Sequence, residues 1–230
     1  MTKLDFSVVI DNLPLLLEGL WLTIFFTVTS LALGMVIGVV VAIFRVCPIR
    51  SLKIVGLVFV EAIRGTPLLV LLFILYYALP QVGIRLSAFT AGILGLGINA
   101  GAYIAEIFRA GIESIPVGQV EAARSVGMSY GQTMRKIILP QAGTVVLPPL
   151  TNEAISQVKA TSLVSTIAVA ELLRAGQQII SMTFAAVEIY AAVAVLYLMV
   201  NLTLAWLARR LEAKQSRGRR RIGQINEVGV

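Results

Sequence analysis

Residues 20–44, LWLTIFFTVTSLALGMVIGVVVAIF, form 25 consecutive uncharged residues between Glu18 and Arg45. A bilayer core needs roughly 20 apolar residues as a helix, so this one stretch is long enough to cross it. Working outward, residues 65–84 and 86–105 are two further runs of 20, separated only by Arg85. Residues 189–208 are another 20, between Glu188 and Arg209. The whole chain agrees: of 230 residues 58% are apolar and 13% charged, with a mean hydropathy of +0.90. Soluble domains run at about 45–50% apolar and about a quarter charged. A water-soluble globule of this composition would expose large apolar patches. The expected class is therefore an all-α integral membrane protein. The first run is too long and too late for a signal-peptide core.

A fifth span follows from charge bookkeeping. Cytoplasmic loops are enriched in Lys and Arg. Residues 45–64 carry four, residues 106–143 carry four, and the stretch from Arg209 carries seven. The alternate segments hold only Lys3, Arg85 and Arg174, with Lys159 unassigned. For both the 106–143 loop and the C-terminal stretch to be cytoplasmic, the chain must cross once more between them. Residues 141–163 are the candidate, despite Asn152, Glu153, Gln157 and Lys159. The expected layout has five helices, about 20–44, 54–79, 86–105, 141–163 and 189–208, with the N-terminus outside and the C-terminus inside. One membrane domain over residues 1–215 is expected, followed by a basic, disordered end at 216–230. A basic tail beside a membrane reads first as contact with anionic lipid, and no nucleic-acid partner is expected.

Catalysis has little to work with. The chain has no histidine and one cysteine, Cys47, expected as a free thiol. Zinc sites use His, Cys and carboxylate clusters, and a Ser or Cys nucleophile usually needs a His base. The two aspartates, Asp5 and Asp11, precede the first apolar run, which argues against an intramembrane aspartyl protease. No GxxxxGK[ST] loop is present to hold nucleotide phosphates.

Several local features carry a mechanism. Gly34/Gly38 and Gly97/Gly101 are GxxxG pairs that allow close helix approach, within the subunit or at a dimer seam. The segment EAIRGTP, residues 61–67, interrupts an apolar stretch that begins near Ile54. It reads as a helix restart with Thr66 as N-cap and Pro67 in the first turn, its free N–H groups suited to an anionic group. The alternative is a kink with Glu61 and Arg64 paired at i,i+3. In the 106–143 loop, Pro116 is expected to open a helix that Gly127 ends. Ser129-x-x-Gln132 then makes a capping box for a second short helix stopping before Pro140. These helices, offering Val117, Val120, Ala123 and Met128, fit either a docking surface or a membrane-surface position.

On an ideal helix, Asn152, Glu153, Ser156, Gln157 and Lys159 share an arc of about 160°. Glu153 lies roughly 18 Å into a helix starting at Gln141, near mid-membrane. An ionisable residue there normally faces a partner or a wet cavity. Lys159 is six positions on and beyond i+3/i+4 pairing. This face is one candidate lining of a substrate path, with Glu153, Asn152, Ser156 and Gln157 joined by Asn99. Glu153 would favour a cationic side chain, and the Thr66 restart is a candidate for the α-carboxylate. The alternative is a Glu153 that is protonated or paired with another helix.

EAARSVGMSYGQTMRKIILPQA, residues 121–142, resembles the EAA loop of ABC importer permeases, with the spacing kept at Glu121, Ala122, Ala123, Gly127, Ile138, Leu139 and Pro140. Residues 61–80 and 101–119 are similar to the flanking signatures of the polar amino-acid (His/Glu/Gln/Arg/opine) permeases. The likeness spans about residues 15–210. It implies a type I importer half that catalyses nothing itself and binds no cofactor, with ATP and Mg²⁺ on a partner ATPase. It also implies a second permease subunit (a homodimer or a close paralogue), an extracytoplasmic amino-acid-binding protein, and a bacterial inner-membrane location. The ATPase-coupling positions are then Glu121, Ala122, Ala123, Arg124, Gly127 and Met128, with Glu121 as polar contact and Gly127 at the turn. A carrier or channel working without ATP is the competing class; its usual inverted repeats are not detected here.

Overall fold

A computed structural model describes residues 4–227, with side chains described to Ala213 apart from Leu211. Ten α-helical segments follow one another: α1 (Ser7–Asp11), α2 (Leu13–Val46), α3 (Arg50–Gly65), α4 (Leu68–Phe73), α5 (Ala88–Glu113), α6 (Val117–Ser125), α7 (Tyr130–Thr133), α8 (Leu139–Ala160), α9 (Leu172–Thr183) and α10 (Ala186–Glu227). There is no strand among the described residues. Three helices are each long and apolar enough to cross a membrane: Leu13–Val46, Ala88–Glu113 and Ala186–Arg210. Among the described residues two bent pairs bring the number up to five, if each pair is one span. One joins Arg50–Gly65 to Leu68–Val82 at 100°, and the other joins Tyr130–Ile167 to Leu172–Thr183 at 51°.

The centre of the bundle is the contact of α2 with α5. In lipid there is no hydrophobic drive between helices, so close packing and interhelical hydrogen bonds must hold them. The buried face of α2 is built from small residues, Gly19, Thr23, Thr27, Ser30, Gly34, Gly38 and Ala42, at three- and four-residue steps. A Cβ on Gly34 would stand 2.8 Å from Ala100 Cβ, and one on Gly38 would stand 2.5 Å from Ile104 Cγ2. In return, Leu33 fills the space at Gly97 and Ile37 the space at Gly101. Both GxxxG pairs are thus spent on one seam inside the chain. Thr27 and Ser30 satisfy their hydroxyls on their own helix, donating to the Thr23 and Phe26 carbonyls at 2.8 and 2.6 Å.

At the end of the bundle near residue 46 the seam closes with charge. Arg45 Nη2 lies 3.4 Å from Glu106 Oε2, and Arg109 bridges Glu106 and Glu113 along α5. Cys47 follows as a free thiol, donating to the Phe44 carbonyl at 3.3 Å.

Four local expectations change. The restart occurs at Leu68, but Thr66 does not cap it: its hydroxyl turns back to the Ala62 carbonyl at 2.8 Å and ends α3 instead. Arg64 does not pair with Glu61; its guanidinium lies over the Tyr103 ring, 5.1 Å from the centroid. The second short helix does not stop before Pro140. A π-turn at Met134–Ile138 carries it into α8, and this wider turn accommodates Pro140, which has no N–H to give the helical ladder. Finally, α10 runs on through the stretch expected to be disordered from Ser216 as far as Glu227. Arg, Lys, Glu and Gln are good helix formers, and extending an existing helix avoids the nucleation cost. Residues 228–230 lie outside the described residues.

If the glycine seam holds α2 to α5, Gly34→Ala lowers stability by about 1–3 kcal/mol through overpacking. Adding Ala100→Gly should recover part of that loss, because it removes the atom the new Cβ meets. Thermal unfolding of the detergent-solubilised protein reads both; an unaltered melting temperature in Gly34→Ala would refute the seam.

Candidate substrate path and docking loop

Helix α8 divides its polar residues between two sides. Gln157 is buried, and its Nε2 donates to Ser30 Oγ at 2.8 Å and to the Leu96 carbonyl at 3.2 Å. It therefore fastens α8 to α2 and α5, and it does not share the open face with the other four polar residues. Asn152, Ser156 and Lys159 are exposed at three- and four-residue steps, in line with Val145 and Pro149. Glu153 is half-buried at the edge of this face, within electrostatic reach of Arg64. Asn99 is half-buried on α5 and makes no hydrogen bond to these residues.

Arg64 is the residue that reading the sequence did not bring to this site. Together with Tyr103, Glu106, Val145 and Pro149 it lines a cavity of about 280 Å³. Pro148 and Pro149 sit inside α8 and lack the N–H groups that would bond the Thr144 and Val145 carbonyls. The cavity therefore combines a guanidinium, an aromatic face, a carboxylate and helix backbone interrupted by proline. The available signal was the adjacency of Arg64 to the break at Gly65, which leaves its side chain beside the bend.

The loop between α5 and α8 has the punctuation expected of it. Pro116 precedes α6, and the helix ends in a Schellman motif. In that motif Met128 N–H donates to the Ala123 carbonyl at 3.0 Å and Gly127 N–H to the Arg124 carbonyl at 2.9 Å. Gly127 has φ +78, where a side chain would be strained. Ser129 and Gln132 form the reciprocal capping box. Glu121, Ala122 and Arg124 face outward, whereas Ala123 is buried and Met128 half-buried. Val117, Val126 and Tyr130 are left exposed at 70%, 76% and 58%. The loop is an ordered, partly apolar platform with one carboxylate in its middle.

Membrane-length helices, one of them with an outward polar face, and an ordered helical loop at one end define an all-α membrane protein. The chain belongs to the family described as binding-protein-dependent transport system inner membrane component, whose model matches residues 34–217. It is 44% identical to the glutamine transport system permease protein GlnP of Escherichia coli (strain K12), over 92% of this chain and 98% of that one. It is 39% identical to the probable glutamine ABC transporter permease protein GlnM of Bacillus subtilis (strain 168), over 91% and 99%. It is 34% identical to the arginine transport system permease protein ArtQ of the same organism, over 92% and 97%. A crystal structure of an amino acid ABC transporter with histidines superposes with a TM-score of 0.89 at 40% identity, covering 93% of this chain and 100% of that one. An inward-facing structure of the MetNI methionine ABC transporter shares the fold, with a TM-score of 0.71 at 24% identity over 88% and 96%. The resemblance to polar amino-acid ABC permeases holds, and with it the all-α type I importer fold, the transport role and the inner-membrane setting.

Proposed function

We propose that this chain is one half of the translocation path of an ATP-driven importer of polar amino acids. The observation that carries this reading is the exposed face of α8, where Asn152, Ser156 and Lys159 have no cover from the rest of the chain. Polar and charged groups in a membrane-spanning helix face a bundle interior or water rather than lipid. A second permease subunit, identical or closely related, encloses this face. An extracytoplasmic binding protein supplies the amino acid. Two ATPase subunits, which hold the ATP and Mg²⁺, dock on the loop through Glu121, Ala122, Arg124 and the Gly127 turn. Ala123 and Met128 serve that docking by packing the platform from inside. The loop and the C-terminal end lie in the cytoplasm, in keeping with the Lys and Arg bias, and the N-terminus lies outside.

For the substrate, Glu153 favours a basic side chain (Arg, Lys or His), with Asn152, Ser156 and Asn99 as neutral contacts. Gln157 contributes by holding α8 in place. Arg64, beside the cavity, is a better partner for a carboxylate than the Thr66 restart, whose hydroxyl is already engaged. A second reading also has an observation behind it. Arg64 lines the cavity beside α8 and brings a positive charge to that side of the path, which disfavours a cationic ligand. On that reading the cargo is a neutral polar amino acid, as the names of the two glutamine permeases suggest for those proteins.

Uptake of arginine and glutamine by the reconstituted importer carrying Glu153→Gln separates the two. Basic selectivity requires arginine uptake to fall about tenfold or more relative to glutamine, the worth of one charge-assisted hydrogen bond. Equal change in both, or none, removes Glu153 from selection.

Docking is tested with Glu121→Lys and Gly127→Trp. Each variant should reach the membrane and still bring down uptake severely, while the partner ATPase continues to hydrolyse ATP; normal uptake with Gly127→Trp contradicts the docking role. Orientation is read from Ser114→Cys in a Cys47→Ser background. That thiol should resist impermeant reagents in intact cells, and ready labelling would reverse the topology.

A further inference from the structure

A groove of about 430 Å³ lies at the docking-loop end of the bundle. Its walls include Ile43 and Val46 on α2, Phe108 and Ile112 on α5, and Tyr130 and Met134 on the loop. They are almost wholly hydrocarbon, and Ile43, Tyr130 and Leu139 stay exposed along it. The groove also sits at a boundary. Arg45 ends the uncharged run on α2 and Glu106 the one on α5. Val46 and Pro48 on one side, and Phe108 and Ile112 on the other, carry the apolar wall past those charges. The groove therefore spans the level at which hydrocarbon gives way to headgroups.

The free charge around it has one sign. Arg135 directly follows Met134, and Arg50 lies two residues beyond Pro48; both are exposed, and neither joins an ion pair among the described residues. Lys53 and Lys136 stand close by in sequence. No Asp or Glu occurs in residues 19–60 or 122–152. Glu113, next to Ile112, is already engaged by Arg109. Glu121 faces outward from α6, which contributes nothing to the walls.

Hydrocarbon walls on the core side of the boundary and free cations at its edge match an amphiphile of complementary build. Side chains lining an apolar groove gain dispersion contacts from whatever fills it, and in a bilayer the group at hand is an acyl chain. A basic edge at the same level attracts an anionic headgroup. A zwitterionic lipid offers the chain without net charge, and a soluble anion offers the charge without a chain. We infer that the groove holds one acyl chain of an anionic phospholipid, whose phosphate is met by Arg50 and Arg135. The inference goes beyond the importer reading and needs only that the helices lie in a membrane. Tyr130 and Met134 belong to the loop, while the facing walls belong to α2 and α5. The lipid chain therefore braces the loop against the central seam of the bundle.

The test uses the intact permease–ATPase complex in phosphatidylcholine vesicles that carry a trace of phosphatidylglycerol with a photoactivatable diazirine on one acyl chain. After illumination, crosslinked peptides are mapped by mass spectrometry. Crosslinks should concentrate on the groove walls, within residues 39–48, 108–112 and 130–139. Unlabelled phosphatidylglycerol should displace them about tenfold better than phosphatidylcholine, the combined worth of two basic residues at a membrane surface. Arg50→Gln together with Arg135→Gln should remove most of that preference and leave the crosslinks in place. Ile43→Trp, at an exposed position, should fill the groove and cut the crosslinks severely without lowering the melting temperature. Equal displacement by the two lipids, or an unchanged pattern with Ile43→Trp, overturns the proposal. Displacement by glycerol phosphate alone assigns the basic edge to a free anion and overturns it too. Crosslinks that avoid the walls in the complex also overturn it; if they reach the walls once the ATPase is removed, that subunit is the occupant.

Discussion

The close approach of α2 and α5 through their glycines is the constraint on which the rest of the molecule depends. Lipid offers the helices no hydrophobic reason to associate, so they adhere where backbones can come near enough for dense packing. Gly34 and Gly38 on one helix, with Gly97 and Gly101 on the other, provide that approach. The seam also sets Ser30 and the Leu96 carbonyl side by side, which makes a socket for one amide. Gln157 fills it. A buried amide left without partners would be expensive, so the socket fixes the rotation of α8 about its own axis. Once that rotation is set, Asn152, Ser156 and Lys159 have no direction left except outward.

This dependence explains what was legible in the sequence and what was not. Helix existence was legible because hydropathy and charge spacing act over 20 residues or more. The loop was legible because its punctuation is local: a proline before α6, a glycine with positive φ after it, and a Ser/Gln capping box. The face of α8 was only half legible. A helical wheel groups Gln157 with Glu153 because both are polar, and it carries no information about a socket on two other helices. Thr66 was misread for a related reason. A threonine beside a break can cap the next helix or bond back into the previous one, and the outcome depends on how sharply the chain turns. Here the bend is 100°, and the hydroxyl bonds back to Ala62. Pro140 was read as a stop because a π-turn, which absorbs an extra residue before the proline, leaves no mark in composition.

Charge is distributed along the bundle with a similar economy. The end carrying the docking loop holds the paired charges, Arg45, Glu106, Arg109 and Glu113, where mutual neutralisation keeps them compatible with partial burial. Arg64 lies over the Tyr103 ring and shares a cavity with Glu106. At the far end Lys159 has no counter-charge among the described residues. Around that paired set, Glu121 and Arg124 on the loop face outward and join none of these ion pairs.

A ligand gains most where the protein's own charges are least satisfied, because it then adds an interaction instead of replacing one. On the proposed path an amino acid meets the outward face of α8, with Asn152, Ser156 and Lys159 on it and Glu153 at its edge. Toward the docking loop lies the set Arg45, Glu106, Arg109 and Glu113, whose members are paired with one another. This arrangement bears on why substrate identity is hard to read from one chain. Arg64 lies within electrostatic reach of Glu153, so on the proposed path the Glu153 charge alone does not decide between a neutral and a basic side chain. The position of Arg64 is fixed by its contact with the Tyr103 ring, made between α3 and α5 and therefore set, like the rotation of α8, by how the helices pack.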